Sequence, residues 1–152
     1  MLELRQAVAA DAAAVRALTR EAYAKWVPLI GREPRPMAAD YDEAIRRHRI
    51  DLAYFDGTLA GLVETIAWPD YLLIENVAVA PAFQGRGIGR ALMDHAERLT
   101  VSLGCRTVRL YTNKAFAENV RLYLALGYRI DREEASGLGV TVYMSKSVRP
   151  PA

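Results

Sequence analysis

Apolar and polar residues follow two periods along this chain, and each change of period marks an element. Leu2 to Ala7 reads as an opening strand. Asp11 stands where a helix needs an N-cap, and Ala14, Val15, Leu18 and Ala22 point inward through about Ala24. A stretch without period follows: Tyr23, Trp26, Pro28, Gly31, Arg32, Pro34, Arg35 and Pro36. It holds too many prolines for regular structure and too many aromatics for an idle loop. A short helix is expected from about Ala39 to Arg49, with Asp40 near its start. Leu52 to Phe55 turns at Asp56-Gly57 into Thr58 to Trp68, the signature of a hairpin. Pro69-Asp70 leads into a strand from Leu72 to Ala80, whose apolar run Ile74 to Val79 is of buried type and which Pro81 ends. A helical period then places Ile88, Leu92, Ala96, Leu99 and Leu103 on one face before Gly104. Thr107 to Thr112 is a strand, Ala115 to Leu126 a helix stopped by Gly127, and Tyr128 to Asp131 and Val140 to Ser145 are strands joined across Ser136-Gly137. The order is β-α-α-β-β-β-α-β-α-β-β.

At 152 residues the chain fits one domain, residues 1–152, able to bury a core without staples. A hydrophobic content of 52% and a net charge of +2 give no reason to expect a nucleic-acid or membrane partner. Locally the balance changes, because residues 81–110 carry five arginines against Asp94 and Glu97, which suits an anionic ligand. A single cysteine, Cys105, excludes an internal disulfide and suits a reducing compartment, the cytoplasm. No signal peptide, transmembrane run or metal-ligand pattern is visible.

Between the central strand and its helix stands Gln84-Gly85-Arg86-Gly87-Ile88-Gly89-Arg90. Glycines permit positive φ and close approach of a ligand to the backbone. The unpaired N–H groups of the following helical turn then face any anion held there, with Arg86 and Arg90 adding charge. The order strand, glycine turn, helix start describes a pyrophosphate cradle. A P-loop would need Lys-Ser/Thr where Ile88-Gly89-Arg90 stands. A dinucleotide fold would need glycine at Arg90 and a carboxylate at the end of the next strand, which instead ends Tyr111-Thr112-Asn113.

The stretch resembles the acyl-CoA loop of the GNAT superfamily of N-acetyltransferases through Gln84, Gly87 and Gly89, preceded by Asn-Val-Ala-Val-Ala-Pro at 76–81. The resemblance covers nearly the full chain and implies an α/β fold, a mixed sheet with helices on both faces. Two central strands, those holding Val77 and Tyr111, would splay to admit the pantetheine arm. The backbone of Val77, Ala78 and Val79 would pair with that arm, and Gln84, Gly85, Arg86, Gly87, Ile88, Gly89 and Arg90 would hold the diphosphate. The co-substrate implied is acetyl-CoA, with no metal.

A second segment, Glu118-Asn119-Val120-Arg121-Leu122-Tyr123 before Leu126-Gly127-Tyr128, resembles the family's other motif. Where many members carry Asn and Ala, seven and four places before the tyrosine, this chain has Phe116 and Asn119. Asn119, one helical turn before Tyr123, is favoured as the cofactor contact over Asn113, whose competing role is capping. Tyr123 would protonate the departing thiolate. A primary amine must first lose a proton, and Glu75, a carboxylate inside an apolar strand, is the expected acceptor, with Glu64 in reserve. His48, among arginines, and His95, near the helix's apolar stripe, are poor catalytic candidates.

Tyr23, Trp26, Arg35 and Tyr41, with Arg32 and Tyr143, are expected to wall an acceptor site for a small amine bearing a carboxylate or a planar group. The same residues would also suit a homodimer contact. The expected activity is direct acetyl transfer to a small-molecule primary amine. The alternatives are acetylation of a protein N-terminus or lysine, and an acyl-CoA-binding sensor that turns nothing over.

Overall fold

The computed structural model describes residues 1–150, so the expected domain limit at 152 lies outside the described residues. Seven strands form one mixed sheet: β1 (Leu2–Gln6), β2 (Arg49–Phe55), β3 (Thr58–Ala67), β4 (Leu72–Val79), β5 (Thr107–Asn113), β6 (Arg129–Ser136) and β7 (Gly139–Ser147). Their spatial order is β1-β2-β3-β4-β5-β7-β6. The main helices are α1 (Ala12–Tyr23), α4 (Tyr41–Arg47), α5 (Ile88–Ser102) and α6 (Ala117–Ala125), as the periods predict within a few residues. The proline-rich stretch departs from expectation. It folds into two one-turn helices, α2 (Val27–Ile30) and α3 (Arg35–Ala38), each with proline in its first turn, where the missing N–H costs nothing. No helix among the described residues is long and apolar enough to cross a membrane.

Each sheet face has its own core. Ile88, Leu92, Met93 and Ala96 of α5 pack with Val63, Ile74, Val108 and Met144 on one face. Val15, Leu18 and Ala22 of α1 and Tyr41 and Ala44 of α4 pack with Leu52, Leu62 and Ala78 on the other. Two positions depart from the expected stripes. Ala14 is exposed while Ala12 turns inward, and Leu103, half exposed, lies just past the last turn of α5. The β6–β7 hairpin is longer than its hydrophobic pattern shows, because β6 is an exposed edge with no apolar face.

Helix α5 lies close on β3 because Gly61 has no side chain. A Cβ there would stand 2.9 Å from the Ala78 carbonyl oxygen and 3.2 Å from both Ile88 and Leu92. The carbonyl is part of the sheet and cannot yield. Gly61→Ala is therefore expected to destabilise the protein by about 1–3 kcal/mol, read as a lower urea midpoint at unchanged m-value.

The centre of the sheet forks. β4 and β5 run parallel and pair only at Leu72–Val108, Leu73–Arg109 and Ile74–Leu110. On the other side of β4, Thr65 pairs with Ile74 and Glu64 with Asn76, leaving Glu75 as an unpaired bulge. A bulge bends its strand and re-aims the side chains beyond it. Tyr111 then donates a 2.6 Å hydrogen bond to Glu75, side chain to side chain, one residue past the last backbone pair. This contact bridges the fork at its apex.

Candidate active site

Past the fork, β4 offers its backbone to the gap. Ala80 N–H donates to Ala60 of β3 at 2.8 Å, so the main-chain groups of Val77 and Val79 face the other way. The Val79 carbonyl accepts from Gln84 Nε2 at 3.3 Å, and the Tyr23 hydroxyl lies 3.3 Å from the Val77 carbonyl. At the end of β4 the chain turns through Gly85 and Gly87, with φ of +79° and +80°. Gly87 is the N-cap of α5 and has no side chain to satisfy the first-turn amides, which leaves them for a ligand.

A hollow of about 340 Å³ opens here, lined by Val77, Ala78, Val79, Gln84, Gly85, Gly87, Ile88, Gly89, Arg90, Asn119 and Tyr123. Arg86 is absent from this lining. Its guanidinium lies over the Phe55 and Phe83 rings at 5.6 and 5.5 Å, which leaves only its backbone in the turn. Asn113 and Asn119 separate as their positions suggest. The Asn113 side chain accepts from Ala115 N–H at 2.9 Å and caps the turn, whereas Asn119 reaches the hollow.

A second cleft, of about 940 Å³, lies on the other side of the fork. Tyr23, Arg35 and Tyr41 line it, together with Arg32 and Tyr143. Trp26 does not. It lines the smaller hollow and stacks on buried Phe116 with ring centroids 4.5 Å apart. Both Glu75 and Glu64 face the larger cleft. His48, dismissed by its arginine neighbours in sequence, also lines it, with Nδ1 2.6 Å from Glu64 Oε2. Burial pushes the Glu64 carboxyl up, the bond from His48 pulls it down, and the Glu75 charge adds to the rise. His95 sits elsewhere, 3.0 Å from Asp51 Oδ2 beneath α5.

Hydrogen bonds tie the cleft to the helices α1, α3 and α4 on one face of the sheet. Tyr23 donates to Asn76 Oδ1 at 2.8 Å, Asn76 Nδ2 lies 3.4 Å from the Tyr41 oxygen, and Tyr41 donates to the Pro36 carbonyl at 2.6 Å. Asn76 is 3% exposed and sits one residue before Val77, so this chain fixes the strand that carries the open backbone groups. Four residues border both cavities: Tyr23, Val77, Asn119 and Tyr123. They form a throat that joins the two cavities.

The profile of the acetyltransferase (GNAT) family matches residues 13–128, a span running from α1 to the start of β6 and enclosing the fork, the glycine turn and the throat. The chain belongs to this family. Streptothricin acetyltransferase of Streptomyces lavendulae is 37% identical over 75 residues, 48% of this chain and 40% of that protein's length. Among solved structures, the PaiA N-acetyltransferase of Thermoplasma acidophilum, in complex with coenzyme A, superposes with a TM-score of 0.83 at 20% identity, covering 97% of this chain and 99% of the other. The ribosomal-protein-S18-alanine N-acetyltransferase of Escherichia coli gives a TM-score of 0.79 at 20% identity, over 100% and 97% of the two chains. At such identities the structural neighbours establish the GNAT fold.

Proposed function

We propose that the protein transfers an acetyl group from acetyl-CoA to a primary amine of a small molecule, by direct attack in a ternary complex. The observation that carries this reading is the throat. An anion-binding turn and a forked strand stand on one side of it, an acid-floored cleft stands on the other, and a tyrosine hydroxyl lies between them. The turn residues 84–90, with the first-turn amides of α5, would hold the diphosphate. Val77 and Val79 would pair with the pantetheine arm as a neighbouring strand does. A bound acetyl-CoA supplies the thioester to be attacked. The Val77 amide would donate to its carbonyl oxygen, and the amine nitrogen would bond to carbon as the C–S bond breaks. Burial pushes the Tyr123 phenol to about 12, so it stays protonated at neutral pH as a donor to the departing sulfur. No nucleophile on the protein is required. A cytoplasmic setting, which the lone Cys105 suits, accompanies this reading.

Support for a small acceptor comes from the mouth of the cleft. Arg32 reaches across it, donating to the Leu138 carbonyl at 3.1 Å in the β6–β7 turn, and this strap narrows the groove that a protein substrate would need. Streptothricin acetyltransferase, a relative by sequence, is named for a small-molecule acceptor. The ribosomal-protein enzyme, a neighbour by fold, keeps acetylation of a protein N-terminus as the second reading. Inside the cleft, the Arg35 charge acts on the Tyr111 hydroxyl while Glu75 bonds it. Positive and negative groups across one cavity fit an amine that also carries a carboxylate.

The test is acetyl-CoA turnover against amino acids, polyamines, aminoglycosides and peptides. Turnover confined to peptides overturns the small-molecule reading. For a carboxylate-bearing acceptor, Arg35→Ala is expected to raise KM about tenfold at little change in kcat, the size of one charge-assisted hydrogen bond. An unchanged KM removes Arg35 from the pocket.

A further inference from the structure

The transfer leaves one proton over. A bound ammonium carries three N–H protons and the amide product one. Of the two that leave nitrogen, one goes to the sulfur and the other must reach solvent. Glu75, the carboxylate expected from sequence to take it, is engaged at the fork by the Tyr111 hydroxyl. The pair next to it has a different geometry. Glu64 lies on β3 directly across from Asn76, and its side chain is only 5% exposed. Its one side-chain partner among the described residues is His48, at the C-terminal end of α4, whose side chain is 27% exposed. The dyad thus runs from the floor of the cleft to the surface. A buried polar contact of this kind is a weak device for stability, since desolvation offsets most of what the bond returns.

We propose that Glu64 and His48 are the proton outlet of the acceptor cleft: Glu64 takes the first proton from the bound ammonium, and His48 passes it to solvent. The second proton, released from nitrogen after C–N bond formation, goes to the sulfur through Tyr123. Glu75, bonded by the Tyr111 hydroxyl, holds the ammonium in place. The charged and titratable groups that line the cleft around the dyad include Glu75 on β4, Tyr23 on α1, Arg35 on α3, Asp40 before α4, Tyr41, Glu43 and Arg47 on α4, and Tyr111 on β5. The Glu64 charge is felt at Tyr23, Tyr41 and Tyr111, which places it at the centre of this ring. Its raised carboxyl brings it nearer the pH at which a base is useful.

This inference rests on the amine-acetylating reading, and the pH profile of kcat/KM separates the two. A base must be ionised, so loss of activity on the acid side follows Glu64. His48 lowers the Glu64 carboxyl, so His48→Gln should move that limb to higher pH. Glu75 raises it, so Glu75→Gln should move the limb to lower pH. Glu64→Gln should abolish the limb and lower kcat/KM about 10²-fold at neutral pH. Carbon-13 NMR of glutamate-labelled full chain should show the Glu64 carboxyl titrating above the ordinary range and moving in the same two directions. Opposite shifts from two neighbours are not what a merely structural defect produces. Turnover by the parent with an acid limb that survives Glu64→Gln overturns the outlet alone. A parent that acetylates none of the four acceptor classes overturns both readings. A Glu64 carboxyl that titrates normally and ignores His48→Gln also overturns the outlet.

Discussion

Tyr123→Phe is expected to lower kcat by roughly 10²- to 10⁴-fold while leaving coenzyme A affinity nearly unchanged. The hydroxyl sits in the throat between the two cavities, and the ring packs against the core edge-on to Tyr128 at 6.2 Å, a contact that phenylalanine keeps. Only the O–H is removed. At about 12 the phenol is a weaker acid than the thiol it serves, whose ordinary value is about 8.5. In the proposed reaction it would therefore bond the sulfur as the C–S bond stretches and release its proton only as the nitrogen replaces it. Such a group acts on the transition state and not on the bound ground state, so its loss lowers kcat and kcat/KM together. Isothermal titration with coenzyme A and steady-state kinetics measure the two quantities separately. An unchanged kcat would take Tyr123 out of the chemistry. A parent that binds coenzyme A but turns nothing over would leave a sensor domain as the better reading.

The parts of this site that were legible in the sequence are those in which one residue type is demanded by local geometry. Gly85 and Gly87 stand where the backbone takes positive φ, and they are readable because few other residues accept it. The fork is visible only through the family resemblance, because apolar content does not say which neighbours a strand will lose. The bulge at Glu75 is hidden for a related reason. Burial along β4 alternates without a break across it, so the slip that turns Val77 and Val79 to the other face leaves no mark on the period. At His48 the neighbouring arginines imply solvent, which hides its place in the cleft. The short length of α4 ends the helix at that residue, where its ring can meet Glu64. By sequence Trp26 belongs with the acceptor wall, because it lies among residues that do line it. Stacking on Phe116, 90 positions away, puts it behind the other hollow, and no local pattern encodes such a contact.

Gly87→Val is expected to weaken coenzyme A binding about 100-fold, for reasons of conformation and not of crowding. A Cβ at this position would meet nothing within 4 Å, so space is available. The cost comes from φ of +80°, which a β-branched residue holds only at about 1–3 kcal/mol. The turn escapes that strain by rotating toward negative φ. Rotation swings the peptide groups that open α5 and would scatter the first-turn amides proposed to hold the diphosphate. About 2.7 kcal/mol of lost binding corresponds to 100-fold in dissociation constant. The strain is local to an exposed turn, so the fold survives and the effect belongs to the ligand. Three readouts should then agree. The melting-temperature gain that coenzyme A confers on the parent should vanish in the variant at the same ligand concentration. The melting temperature without ligand should fall by no more than a few degrees, as that strain implies for a domain of this size. At saturating acetyl-CoA, kcat should return toward the parent value, because Tyr123 and the acceptor cleft lie beyond the turn. A full thermal gain retained in Gly87→Val would mean that the diphosphate is held elsewhere, and the assignment of residues 84–90 as its cradle would fall.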